Sequence, residues 1–169
     1  MKFTFKPMTL LAVLTLSLSL ASCSSTKKKE VNDNQTMESV GTDASAIELN
    51  ADSDSGKAGP IKTVFFGFNS SVLSTSARDT LNSNADFLKA NPSVEIQVEG
   101  HCDERGGVQY NLALGERRAV AVKEHLVAMG VNSSRISTIS FGKERPVAFG
   151  HDESAWGSNR RGNFIITAK

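Results

Sequence analysis

The chain has 169 residues, of which 39% are hydrophobic and 22% charged, and its formal net charge is +1. That length accommodates one modest domain with extensions. The apolar content excludes a multi-span membrane protein, and the near-neutral balance excludes a general electrostatic field for nucleic acid or lipid headgroups.

Residues 1–22 read as a signal segment. Lys2 and Lys6 form a basic start, and Met8 to Ala21 form an apolar run interrupted by Thr9, Thr15, Ser17 and Ser19. The run falls short of the roughly 20 apolar residues that span a bilayer. It ends in Leu20-Ala21-Ser22-Cys23, the form of a bacterial lipobox, against the alternative of a secretory signal with a chance cysteine. A Cys23 thioether can carry a diacylglycerol and the new amino terminus a third chain, and several acyl chains anchor durably where one does not. Ser24 follows the cysteine, where Asp is the usual inner-membrane retention signal, so outer-membrane sorting is expected. Loss of Lys2 and Lys6 leaves 17 basic against 18 acidic side chains. With Cys23 consumed, Cys102 is a lone thiol and no intramolecular disulfide is expected.

Residues 23–60 read as the lipidated N-terminus and a linker. No Phe, Trp or Tyr occurs between Ser24 and Val64, while Ser, Asn, Asp, Thr and Gly recur. Such a segment buries too little apolar area to offset its ordering entropy. Lys27-Lys28-Lys29 is either a solvated run or a contact with anionic headgroups. At about 3.3 Å per residue the tether would extend on the order of 120 Å.

The folded domain is placed at 61–169. Residues 62–68 are β-branched or aromatic, a first strand, and Asn69-Ser70-Ser71 turns the chain. Ser74 or Thr75 caps a helix to about Ala90, with Ala77, Leu81, Ala85 and Leu88 at helical spacing. Asn91-Pro92 ends it. Residues 94–99 alternate apolar Val94, Ile96 and Val98 with polar Glu95, Gln97 and Glu99, a second strand. A helix over 108–129 carries the stripe Leu112, Gly115, Ala119, Val122, Leu126 and Met129, and Gly130 stops it. Residues 135–141 make a third strand, 142–159 a long loop, and 163–167 a last strand. The order βαβαβ-loop-β predicts an α/β sandwich: a mixed four-stranded sheet with helices on one face.

The charged loop 101–107 between the second strand and second helix is the best candidate for binding. A strand–loop–helix return can bring Asp103 and Arg118 together beside free helix N-terminal amides. That pair suits a zwitterion, the carboxylate holding an ammonium and the guanidinium forking onto a carboxylate; it can equally be a structural salt bridge. Arg105 and Arg117 read as surface cations or partner contacts. His101, Asp103 and His151 would serve a metal-dependent hydrolase, but neither His-rich cluster has helical His spacing or paired Cys-x-x-Cys. A His101/Cys102 nucleophilic pair is poorly supported, because adjacent side chains of an extended segment point apart. Gly106-Gly107 lacks the Lys-Ser/Thr of a phosphate cradle. Trp156 and Phe149 are either partner anchors or domain packing.

Val64-Phe65-Phe66-Gly67-Phe68, then Val98 to Gly106, then Tyr110-Asn111-Leu112 and Leu114-Gly115-Glu116-Arg117-Arg118-Ala119, then Phe141 to Pro146, Gly150 to Glu153 and Asn159-Arg160-Arg161 together resemble the peptidoglycan-binding lipoproteins of the OmpA C-terminal-like domain family. The resemblance covers about residues 60–168 and the lipoprotein start. It implies non-covalent binding of the meso-diaminopimelate stem peptide of peptidoglycan, with no bond made or broken, no cofactor, and an outer-membrane lipid anchor facing the periplasm. It places the diaminopimelate grip on Asp103 and Arg118 and further contacts on Phe68, Asn69 and Leu114. At 69 the family usually has Asp, and Asn69 drops that charge. The resemblance also implies a partner, TolB of the Tol system, and through it a role in envelope integrity and in outer-membrane constriction at division.

Overall fold

The structure, a computed structural model, describes residues 47–169. The signal segment, Cys23 and residues 24–46 of the linker lie outside the described residues. Among the described residues four strands and three α-helices follow in chain order: β1 (Val64–Phe65), α1 (Thr75–Ala90), β2 (Glu95–His101), α2 (Val108–Ala128), β3 (Ile136–Gly142), α3 (Glu153–Asn159) and β4 (Arg161–Ala168), with a short 3-10 turn at Ser133–Arg135 before β3. The sheet order is β1-β4-β2-β3. β4 lies antiparallel to both β1 and β2, and β2 runs parallel to β3 across the α2 crossover. The mixed four-stranded α/β sheet expected from the sequence is the observed one.

α1 begins where Ser74 Oγ accepts a hydrogen bond from the Ala77 amide at 3.1 Å, satisfying one amide of the first turn. Its buried face holds Ala77, Leu81, Ala85 and Leu88 as the spacing predicts, with Asn84 and Phe87 added. Asn84, fully buried, brackets Lys62 by accepting from its amide at 3.0 Å and donating to its carbonyl at 2.8 Å. α2 buries Leu114, Gly115, Arg118, Ala119, Val122 and Leu126. Of these, Ala119, Val122 and Leu126 join Ile96, Val98, Phe164 and Ile166 of the sheet and Leu81, Ala85 and Leu88 of α1 in the main core, with Met129 partly buried against it. The other face of β2 is polar: Glu99 accepts from Asn163 of β4 at 3.0 Å, beside buried His101.

Two glycines bring β2 and α2 into direct backbone contact. A Cβ added at Gly100 would lie 1.9 Å from the Gly115 carbonyl oxygen, and one at Gly115 would lie 2.3 Å from Ser140 Oγ and 2.7 Å from the Gly100 oxygen. Gly100 is three residues before Asp103 and Gly115 three before Arg118. This contact therefore sets the distance between the loop and the helix that the sequence reading links.

Three expectations need correction. The linker reading fails for residues 47–60, which pack on the domain. Ile47, Ala51 and Ala58 are buried, and Asn50 and Ala51 exchange backbone hydrogen bonds with Ile166 of β4. Ser53 bonds Asn163, and Asp54 pairs with Arg161 at 2.6 Å. Ile47, two buried alanines and a β4 edge left uncovered by short β1 suffice, without any aromatic residue. The first strand is two residues rather than seven, because the carbonyls beyond it go to arginines: Phe66 to Arg160, Gly67 and Ser70 to Arg118. The late loop contains α3, capped by Asp152 Oδ1 accepting from the Ala155 amide at 3.0 Å.

Candidate functional site

The turn after β1, the loop after β2 and the first turns of α2 enclose a cavity of about 180 Å³. Phe68, Asn69, Asp103, Leu114 and Arg118, the five residues singled out in the domain sequence, all line it. Asn69 sits at a positive φ of 51°, a region that asparagine tolerates better than most residues, and its side-chain oxygen accepts a hydrogen bond from Tyr110 of α2. Gly106, at φ +91°, turns the loop into α2, whose N-cap Gly107 supplies no side-chain acceptor to the first-turn amides. The positive end of a 21-residue helix thus adjoins the cavity.

Arg118 is 1% exposed. Its Nε donates to the Ser70 carbonyl at 2.8 Å, one terminal nitrogen to the His101 carbonyl at 2.7 Å and the Cys102 Sγ at 3.4 Å, and the other to the Gly67 carbonyl at 2.9 Å. Of its five N–H groups, four are so committed, and none of these partners is an anion. Burial lowers its pKa, opposed by the nearby Cys102 and Asp103, but a guanidinium remains charged at neutral pH. The cavity therefore borders a buried cation that, among the described residues, has no bonded carboxylate.

Asp103, also buried, is heavily bonded. Arg105 reaches it from the backbone amide at 3.1 Å and from the guanidinium at 3.2 and 2.6 Å, and Arg160 at 3.3 Å. Burial pushes its carboxyl up, the arginine hydrogen bonds outweigh this, and the net shift is downward. Burial also raises the Cys102 thiol, against the field of Arg118. Asp103 and Arg118 are not bonded to each other among the described residues, so the plain salt-bridge alternative does not describe them.

Arg105, expected to be a surface or partner cation, is partly exposed but has partners within the domain. Its guanidinium lies 4.0 Å from the Phe68 ring centroid and 3.9 Å from that of Trp156, stacked between them over Asp103. Arg160 was not singled out; its only signal is position in the run Asn159-Arg160-Arg161. It is 6% exposed and bridges Asp103 and Glu153. Trp156 packs on Arg105 and donates from Nε1 to Glu104 at 2.9 Å, whereas Phe149 is 85% exposed.

The three residues of the hydrolase alternative do not converge. His101 lies against Glu99 at 3.4 Å and stacks on Phe141, Asp103 is held by arginines, and His151 Nδ1 meets Glu104 at 2.7 Å. Glu104 is held below its usual carboxylate range by the His151 and Trp156 hydrogen bonds, and His151 is raised by the same contact.

The OmpA family model matches residues 65–160, a span that includes the whole cavity. The chain belongs to the OmpA family. Within that family it is 48% identical over 99 residues to the peptidoglycan-associated lipoprotein of Pasteurella multocida, covering 59% of this chain and 66% of that protein. It is 47% identical over 109 residues to the protein of the same name from Pseudomonas aeruginosa, covering 64% of each. The chain thus spans about two thirds of the length of these relatives. The crystal structure of the peptidoglycan-associated lipoprotein from Burkholderia pseudomallei superposes with a TM-score of 0.60 at 41% identity, over 62% of this chain and 88% of that one. The C-terminal domain of Helicobacter pylori MotB shares the fold, with a TM-score of 0.61 at 22% identity over 64% of this chain and 86% of that one.

Proposed function

We propose that this chain is a lipid-anchored outer-membrane protein, facing the periplasm, that binds the diaminopimelate stem peptide of peptidoglycan and so links membrane to wall. The observation that carries the reading is the convergence of Phe68, Asn69, Asp103, Leu114 and Arg118 on one cavity. The names borne by its OmpA-family relatives agree with it. A carboxylate of the peptide meets the buried Arg118 and the N-terminal end of α2, where a charge-assisted hydrogen bond is strong. The distal ammonium goes to Asp103. The methylene chain between them lies along Leu114 and Phe68, and Asn69 with Tyr110 borders the mouth. No bond is made or broken.

Cys23 carries the lipid. Since residues from 47 onward belong to the domain, the reach of the anchor falls to residues 24–46, about 80 Å at full extension. Each grip can be weak, because many copies share one membrane and one polymer. TolB and the Tol system are the proposed partners, with envelope integrity and outer-membrane constriction at division as the outcome. Co-purification with TolB separates this from an OmpA-family wall binder outside that system.

Sedimentation with purified diaminopimelate-type peptidoglycan tests the reading. The wild-type protein pellets, while Phe68→Ala, at an exposed position outside the core, and Asp103→Ala stay in the supernatant. Pelleting by both variants contradicts it. Loss of outer-membrane association in Cys23→Ser tests the anchor.

A further inference from the structure

The Asp103 carboxylate, which the wall-peptide reading assigns to a ligand ammonium, already holds a cation. Both oxygens are taken by Arg105, one oxygen also by Arg160. The two arginines differ in freedom. Arg160 is enclosed, its side chain 7% exposed, and is further tied to the Phe66 carbonyl at 3.0 Å and to Glu153. Arg105 leaves 31% of its side chain exposed and lies at the cavity wall. Its guanidinium is stacked between Phe68, itself 61% exposed, and Trp156, which Glu104 orients through its indole nitrogen. Glu104 is in turn bonded to His151. The clamp is thus built from three separate segments: the turn after β1, the loop after β2, and α3 with the residues before it.

We propose that Arg105 is a specificity-determining gate, a tethered cation that occupies Asp103 until a ligand ammonium displaces it. The inference rests on the wall-peptide reading and goes beyond it. A ligand without an ammonium leaves Arg105 in place and gains nothing from Asp103. A ligand with one must exchange an N–H···O pair for its own, and the guanidinium swings outward along the exposed side of the Phe68–Trp156 slot. Since the open state is only a fraction of the population, the apparent affinity for the ammonium-bearing ligand is reduced by that fraction. The gate thereby trades affinity for discrimination against small cations, which lack the remote contacts needed to displace it.

The test uses the full-length protein in mild detergent and two synthetic peptides, L-Ala-γ-D-Glu-meso-diaminopimelate and the same peptide with hydrogen in place of the distal ammonium. The quantity read is the ratio of their dissociation constants by calorimetry. Arg105→Ala shifts that ratio on the order of tenfold toward the ammonium-bearing peptide, because the closed state no longer competes. Trp156→Ala, which loosens the clamp without removing the guanidinium, shifts it the same way by a smaller factor. Carboxylate contacts are common to both peptides and cancel in the ratio. An unchanged ratio in Arg105→Ala, or a shift toward the peptide lacking the ammonium, overturns the gate while leaving the wall-peptide reading intact. Failure of the wild-type protein to bind either peptide overturns both.

Discussion

Asp103 and Arg118 face one cavity while bonded to different neighbours, the carboxylate to Arg105 and Arg160 and the guanidinium to three backbone carbonyls. The two charges are held apart by the fold, and so each can meet a separate charge of a ligand.

The arrangement gives Arg118 a structural duty. It ties the turn after β1 to the end of β2 through Gly67, Ser70 and His101. Truncation strands these partly buried carbonyls, at about 1–3 kcal/mol for each group left unsatisfied. Arg118→Ala therefore loses about 3 kcal/mol or more of unfolding free energy in urea titration. An unaltered midpoint would show that the carbonyls find other donors. Loss of peptidoglycan binding in this variant is interpretable only below its melting temperature.

Gly100→Ala drives its methyl into the Gly115 backbone, and Gly115→Ala drives its methyl into both Ser140 Oγ and the Gly100 carbonyl, so even if the serine turns away the backbone contact remains. Overpacking of this kind costs about 3 kcal/mol. Chemical denaturation should show this loss for either variant, and retention of wild-type stability would contradict the close contact.

A chain starting at residue 47 should unfold at the wild-type temperature. One starting at residue 61 loses the Ile47, Ala51 and Ala58 anchors and the Asp54–Arg161 pair, and should melt several degrees lower, since about 1 kcal/mol moves the midpoint of a domain between the small and mid-size classes by roughly 3–6 °C. Equal melting temperatures would mean that the segment adds nothing to stability.

The Glu104–His151 contact has a defined pH window. His151 is raised by its hydrogen bond to Glu104, so its contribution is complete below the unfolded value of about 6.5 and is lost as pH rises through the higher folded value. Glu104 is lowered by hydrogen bonds from His151 and Trp156, so its contribution is present above about 4.3 and lost as pH falls through the lower folded value. Both groups are exposed, and the effect on global stability is small. NMR titration should find the His151 midpoint above the ordinary histidine value in the wild type and back near it in Glu104→Gln. Identical midpoints in the two proteins contradict the contact.

The two long helices were legible because their apolar residues recur at helical spacing and each has a local boundary, Ser74 before α1 and Gly130 after α2. α3 was not, since seven residues containing Gly157 show no period, although Asp152 three residues before Ala155 was a usable capping signal. β1 looks longer in the sequence than it is, because Phe66 and Phe68 after it are as apolar as a strand while the carbonyls of this segment are claimed by arginines 48 or more residues away. Asp103 and Arg118 could be paired in the sequence because one loop and three helical turns separate them. The Phe68–Arg105–Trp156 stack could not: it joins positions brought together only by the folded sheet, and a lone arginine in a polar loop resembles a solvated one.

The most direct test of the central claim varies the ligand and leaves the protein whole, because Arg118 cannot be removed without cost. Stem peptides ending in meso-diaminopimelate or in lysine share the distal ammonium and differ in the distal carboxylate. Calorimetry with the intact protein should give the diaminopimelate peptide an affinity about tenfold or more above the lysine peptide, the value of one charge-assisted pair with a buried guanidinium. Equal affinities would mean that Arg118 reads no carboxylate, and would contradict the account.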